Sequence, residues 1–482
     1  MQYFRNRTKN MQQADIGLIG LGVMGANLAL NIAENGYRIA VYNRTPAKTQ
    51  EFYAGAGSLQ DNIVTCQSLE ELAQNIRAPR PIILMVKAGE AVDEQIAALK
   101  PYLEKNDIII DAGNANFHDT VRRLAELGSG DPTFVGMGVS GGEEGARHGP
   151  SIMVGGTPES YARIEPVLTA ISAKFEGEPC SALMGPDGAG HFVKTIHNGI
   201  EYADMQMIAE VYGVLRDGLQ LAPDAIGKIF ETWNKGPLNS YLIEITAKVL
   251  LATDKQTGKP AVDVILDSAG QKGTGRWAAI EAQMLGIPAT GIEAAVAARS
   301  ISSLVEQRSV AAKAYGDLGT ARLADKSQGF IDALERGLLA GKIAAYAQGF
   351  EVMAGASKER GWDIPLATTA RIWRAGCIIR SQFLDEIAAA FEGNADTNLL
   401  LVPAFVERMK EGSKSLRKIV AEASLAGLPV PALSAALNYF DGFRQARGTA
   451  NLIQAQRDFF GAHGFKRLDQ EGDFHGPWSS AG

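Results

Sequence analysis

Short apolar runs recur through the first third of the chain, and most are followed by a stretch with helical spacing. Residues 15–19, 37–42, 82–86 and 107–111 form such runs, and 133–136 opens another. Runs without polar alternation suit strands buried on both faces, as in a parallel sheet covered by helices. Stretches 26–35, 91–103 and 118–127 supply candidate helices. From Gly188 to about Arg447 strand signals nearly vanish and alanine-rich helical patterns take over. The pattern predicts an α/β domain over 11–187, an all-α domain over 188–446, and a C-terminal tail over 447–482.

The helical part carries a faint repeat. Tyr202-Ala203 recurs as Tyr346-Ala347, and Ile229-Phe230 is matched by Ile372-Trp373 at a similar distance. Ser240-Tyr241-Leu242-Ile243-Glu244-Ile245 resembles Ser381-Gln382-Phe383-Leu384-Asp385-Glu386-Ile387. A duplicated helical unit is expected. Only the first copy has a polar stripe; the second has Gly341-Lys342-Ile343-Ala344-Ala345 there and reads as scaffold.

Composition narrows the class. A chain of 482 residues exceeds one ordinary core, and a net charge of -7 offers no concentrated basic surface for nucleic acid. Cys66, Cys180 and Cys377 are too scattered for a disulfide framework and suit a reducing, cytoplasmic setting. The six histidines show no metal-ligand spacing. No apolar run approaches the roughly 20 residues of a membrane span. Residues 1–10, polar and basic, read as a dispensable extension upstream of an alternative start at Met11.

Between the first two strand patterns lies Gly20-Leu21-Gly22-Val23-Met24-Gly25, a G-x-G-x-x-G run. In that strand–helix–strand context it marks a Rossmann-type dinucleotide-binding domain. The glycines let backbone approach a pyrophosphate, and the helix N-terminus offers N–H groups and a positive end. The second strand ends at Asn43-Arg44-Thr45. A site for NAD would place an acid there for the ribose hydroxyls; Arg44 suits a 2′-phosphate, so NADP is the expected cofactor. Ligands of open parallel sheets sit past the carboxyl ends of the strands. Val86, Lys87, Ala88 and Asn114 lie there, with Ser140-Gly141-Gly142, whose hydroxyl and N–H groups can hold a carboxylate.

Residues 188–210 read as one helix after two glycine breakers. Lys194, His197, Asn198, Glu201 and Tyr202 share one face, while Phe192, Val193, Ile196, Ile200, Ala203, Met207 and Ile208 fill the others. Such a helix is buried, so its polar stripe is expected to face a cavity. Lys194 and Glu201 are two turns apart, about 10 Å, suited to opposite ends of a small polar ligand. Burial makes lysine less basic and a carboxylate more so; the pair becomes base and acid near neutrality, or else stays a solvated face. The glycine-rich loop 267–277, with Lys272 and Thr274, is a candidate phosphate cradle. Arg299, inside an apolar helix, is expected to meet an anion or to form a structural ion pair. In the tail, the polar segment 466–482 cannot build a core, so Phe459, Phe460, Phe474 and Trp478 are expected to pack on a neighbouring subunit.

Together, from about Met11 to the tail, these motifs resemble the decarboxylating 6-phosphogluconate dehydrogenases. The resemblance rests on 20–25, Asn43-Arg44-Thr45, 139–147, Lys194-Thr195-Ile196-His197-Asn198-Gly199-Ile200-Glu201-Tyr202, 267–275 and 451–463. It implies oxidation of 6-phosphogluconate by NADP+ and loss of carbon dioxide to give ribulose 5-phosphate, without a metal. Lys194 would be the general base and Glu201 the general acid. Ser140, Gly141, Gly142 and His197 would hold the carboxylate end, and Asn114 and Asn198 the hydroxyls. Tyr202, Lys272, Thr274 and Arg299 would hold the phosphate, joined by Arg457 and His463 from the partner in a homodimer. Gly22, Ala112, Ala115, Met137 and His148 depart from the family's usual pattern without removing a catalytic group.

Overall fold

The computed structural model describes residues 13–316, 323, 325, 327–393 and 397–478; the extension 1–10 and Met11 lie outside the described residues. Strands β1 (Ile16–Ile19), β2 (Ile39–Tyr42), β3 (Ile63–Thr65), β4 (Pro81–Leu84), β5 (Ile108–Asp111), β6 (Thr133–Val139) and β7 (Ile152–Gly155) come first. A small hairpin, β8 (Lys174–Phe175) and β9 (Glu178–Pro179), precedes β10 (Ser181–Gly185). The main sheet runs β10-β7-β6-β5-β4-β1-β2-β3. Neighbours are parallel except β6 and β7. Strand order reverses beside β1, so a ligand crevice is expected at its carboxyl end.

Helices α1 (Val23–Glu34), α2 (Pro46–Gly55), α3 (Leu69–Asn75), α4 (Glu90–Leu99), α5 (Phe117–Glu126), α6 (Gly142–His148) and α7 (Pro158–Ile171) accompany the sheet. The apolar run 82–86 overshoots: β4 stops at Leu84, leaving Val86 and Lys87 in the loop beyond it. The helix read over 91–103 ends at Leu99, and Pro101 sits in a separate tight turn. Strands β3, β7 and β10 went unread. The first has three residues at a sheet edge, and the other two run into glycines.

The remaining described chain is helical. It comprises α8 (Ala189–Gly213), α9 (Pro223–Trp233), α10 (Tyr241–Leu251), α11 (Thr274–Met284), α12 (Thr290–Ser302) and α13 (Val305–Tyr315), then α14 (Gln328–Arg360), α15 (Leu366–Ile372), α16 (Leu384–Gly393), α17 (Pro403–Leu425), α18 (Pro431–Phe443) and α19 (Ala450–Gly461). The series α8–α12 recurs as α14–α18. Helix α9 packs on α10 as α15 does on α16, and α8 meets α11 and α12 as α14 meets α17 and α18. The two long helices cross closely, because a side chain at Gly349 or Gly341 would collide with Ile200 or Met207. At the junction of the copies Ser240 and Ser381 form an antiparallel bridge. Lys342 of the second copy is fully buried against Asp204 at 2.6 Å.

Helix α8 joins the two parts. Its apolar residues Phe192, Val193, Ile196, Ile200, Ala203, Met207 and Ile208 are buried in the largest core. Glycines seat it on the sheet. A Cβ on Gly138 of β6 would lie 2.4 Å from that of Lys194, and one on Gly190 would lie 2.4 Å from the Gly155 nitrogen. Segment 464–478 folds back on α19 around the buried Asp458 carboxylate, which accepts from the Gly464 and Gly476 N–H groups, His475 Nδ1 and Trp478 Nε1. The Gly476 N–H, with His475 and Gly464, holds that carboxyl down at about 2. Phe459 and Phe460 remain exposed.

Candidate active site

The loop from β1 into α1 is built by its glycines. Gly20 has φ +101, and any Cβ there would strike the Met85 carbonyl at 2.4 Å; one on Gly25 would meet the Gly20 carbonyl at 1.9 Å. A Cβ on Gly22 would meet nothing within 4 Å, so the backbone is open to a pyrophosphate at that point. Leu21 N–H donates to Asn43 Oδ1 at 3.0 Å, which ties the loop to the end of β2. Val23 and Met24 begin α1, whose first turn carries no acid. Gly20, Gly22, Asn43, Arg44, Thr45, Val86 and Lys87 line one cleft; Ala88 follows in the same loop. Arg44 and Lys87 are exposed on it. These residues fit a dinucleotide bearing a 2′-phosphate. Asn114 is exposed past the end of β5.

Lys194 is 6 % exposed. Its Nζ donates to Asn198 Oδ1 at 2.6 Å and Ser140 Oγ at 3.2 Å, with His197 Nδ1 at 3.4 Å. His197 Nε2 reaches the same Ser140 hydroxyl at 3.3 Å. Burial lowers the basicity of Lys194, opposed by the Glu201 carboxylate. Burial and then the Lys194 charge hold His197 well below its ordinary range, so its ring is neutral. Glu201 moves the other way: burial raises its pKa, and Lys194 and Arg299 oppose the rise. The stripe thus brings a weakened base and a weakened acid onto one buried face. Gly141, with φ +104, and Gly142, with φ +62, open α6 beside Ser140.

Beside Glu201, at the next residue Tyr202, the surroundings turn cationic. The Arg299 guanidinium lies 3.6 Å over the Tyr202 ring. It donates to the Gly270 carbonyl at 3.4 Å and pairs with no carboxylate among the described residues. Tyr202 in turn packs against Gly275, where any Cβ would sit 2.4 Å from the ring. Thr274, buried, starts α11 after Gly273 at φ +101, and Lys272 is exposed on the same loop. Tyr202, Thr274 and Arg299 therefore gather, with Lys272 next in the chain. Arg457 and His463 stay apart from this cluster: both are exposed, Arg457 donating to Gln454 and His463 lying edge-on to Phe460.

Two neighbours of the stripe escaped the sequence reading. Trp373 presents its ring edge-on to His197, with centroids 5.2 Å apart. Cys377 is buried near Lys194, and burial pushes its thiol up to about 12. Both come from the second helical copy, and no local pattern ties them to α8.

A dinucleotide cleft at the strand ends, beside a desolvated lysine and carboxylate, is the layout of a nicotinamide-dependent dehydrogenase. Comparison with known proteins narrows that class. Residues 15–185 match the NAD binding domain of 6-phosphogluconate dehydrogenase, and 190–478 match its C-terminal domain. The chain belongs to the 6-phosphogluconate dehydrogenase family. It is 48% identical over 469 residues to the NADP(+)-dependent, decarboxylating enzyme of Bacillus subtilis, covering 97% of this chain and 100% of that one. The decarboxylating enzyme of Escherichia coli is 48% identical over 470 residues, with the same coverages. A solved structure of the Plasmodium falciparum enzyme superposes with a TM-score of 0.93 at 43% identity, covering 96% of this chain and 100% of that one.

Proposed function

We propose that the protein carries out NADP+-dependent oxidative decarboxylation of 6-phosphogluconate to ribulose 5-phosphate, carbon dioxide and NADPH. The observation that carries this reading is the buried face of α8. It sets Lys194 beside Ser140 at 3.2 Å and leads through Glu201 to the Tyr202–Arg299 pair. That spacing suits a substrate with a carboxylate at one end and a phosphate at the other. NADP+, held by the 20–25 loop, Asn43, Arg44 and Thr45, would supply the acceptor for the hydride that leaves carbon 3. Neutral Lys194 takes the proton of the 3-hydroxyl. As carbon dioxide leaves, its electron pair passes to the new ketone, and protonated Lys194 supplies that oxygen with a proton. Glu201 then protonates carbon 1 of the enediol while Lys194 takes the enol proton back, and return of that proton to Glu201 resets the pair. Ser140, Gly141, Gly142 and His197 hold the carboxylate end, Asn114 and Asn198 the hydroxyls, and Tyr202, Lys272, Thr274 and Arg299 the phosphate. A coupled assay tests the reading: reduced nicotinamide and carbon dioxide should appear in equal amounts, and reduction without carbon dioxide would refute it.

Arg44 is assigned to the 2′-phosphate. A charge-assisted contact of about 1.5–3 kcal/mol makes Arg44→Ala weaken NADP+ roughly 10–100-fold and NAD+ little. Equal losses for the two nucleotides would remove the assignment.

A second copy of the chain completes the phosphate site in this reading. Every residue of α13 keeps solvent contact, and Ile265, Leu266, Met284, Val310, Phe459 and Phe460 are exposed, apolar surface that a second copy would cover. Arg457 and His463 then reach the partner's phosphate pocket. Truncation after Thr449 is expected to abolish most activity, and adding full-length chain carrying Lys194→Met should restore it in mixed dimers. Failure to restore it would exclude the donated tail.

A further inference from the structure

Arg123, on α5, is 2 % exposed and lies outside the face that carries the chemistry. It nevertheless reaches the loop after β4, which lines the cleft, and the end of β5 beside it. Its Nε and one terminal nitrogen grip the two oxygens of Asp93, in the first turn of α4, at 2.7 and 3.1 Å. That terminal nitrogen also donates to the Gly89 carbonyl at 2.9 Å, in the loop after β4. The other terminal nitrogen faces Asp111 Oδ2 at 3.4 Å, at the end of β5. The second oxygen of Asp111 accepts the Gly113 N–H at 3.0 Å. Asp111 is fully buried. The two loops touch at Gly113, where a Cβ would lie 3.2 Å from the Val86 carbonyl. One guanidinium therefore holds the backbone just after Val86, Lys87 and Ala88 and, through Asp111, the backbone just before Asn114.

We propose that Arg123 is a positioning residue that holds the loops after β4 and β5 in register for the cofactor and for the substrate hydroxyls; this rests on the NADP+ and 6-phosphogluconate reading above. A rigid, five-donor fork suits the task, since it meets two carboxylates and a carbonyl at once. Lysine can pair with Asp93, but a single ammonium cannot span from Gly89 to Asp111. Loss of the strap leaves Lys194 and Glu201 in place on α8, so affinity suffers before the chemical step does.

The test compares Arg123→Lys and Arg123→Met with the double variant Arg123→Met/Asp111→Asn. The double variant removes the unpaired buried carboxylate that could unfold the single one, and it keeps an acceptor for Gly113. Measured are NADPH affinity by fluorescence titration, KM for both substrates, kcat, and the melting temperature. The expected result is a KM for NADP+ and a NADPH Kd raised about ten-fold in all folded variants, with kcat changed less and KM for 6-phosphogluconate also raised. Wild-type KM and Kd in a folded double variant, or a fall in kcat or melting temperature alone, would overturn the proposal. If the parent chain binds NADPH but turns over no 6-phosphogluconate, the functional reading fails, and the NADPH titration still decides the strap.

Discussion

Lys194→Met binds NADPH as the parent chain does and turns over at least ~10³-fold more slowly. Two features set that size. In the proposed mechanism the lysine acts three times, taking the hydroxyl proton during oxidation, giving one to the ketone oxygen during decarboxylation and taking the enol proton back, and each such transfer contributes about 10²–10⁴-fold. Its environment makes the neutral form accessible, because burial lowers its basicity against the pull of Glu201. Methionine keeps the unbranched shape in a core that already seats the side chain against Gly138. It also relieves a buried charge, so the fold should hold. Lys194→Arg should be as inactive, since a guanidinium does not deprotonate. The check is single-turnover nicotinamide reduction beside a fluorescence titration of NADPH. Unchanged turnover would remove Lys194 from the base role, and lost NADPH binding would mean that the cleft itself had collapsed.

What the sequence made legible was local. The face of α8 follows from helical spacing, and the glycine fingerprint from the needs of one tight loop: Gly20 and Gly25 have no room for a side chain, while Gly22 has room and faces outward. The repeat showed through Tyr202 and Tyr346, which hold matching places on α8 and α14, helices that meet closely at Gly349 against Ile200 and Gly341 against Met207. Arg299 was open between an anion and an ion pair; its position over Tyr202 with no carboxylate partner among the described residues favours the anion. Other features were hidden because they depend on chain segments brought together from afar. Gly138 is an ordinary strand glycine until α8 lies on it. Trp373 and Cys377 look like core residues until they close around His197 and Lys194. Asp458 reads as one more surface acid, yet four donors from as far as Trp478 converge on it.

Glu201→Gln should lower kcat by about 10²-fold or more and change the shape of the pH profile. In the proposed mechanism the parent requires neutral Lys194, a fraction that rises with pH, and protonated Glu201, a fraction that falls with pH. Their product is a bell. Burial brings the two limbs toward each other, lowering the pKa of Lys194 and raising that of Glu201. Because the groups oppose each other's shifts, the two apparent values belong to the pair and not to either residue. Glutamine keeps the volume and hydrogen bonding of Glu201 but has no proton to lose. In the variant the alkaline fall therefore disappears, and the residual rate rises with pH to a plateau set by Lys194 alone. Removing the neighbouring carboxylate also takes away the charge that kept Lys194 protonated, so that rise should come at lower pH than titration of Lys194 in the parent. A bell that survived intact in Glu201→Gln would show that some other group donates the proton to carbon 1.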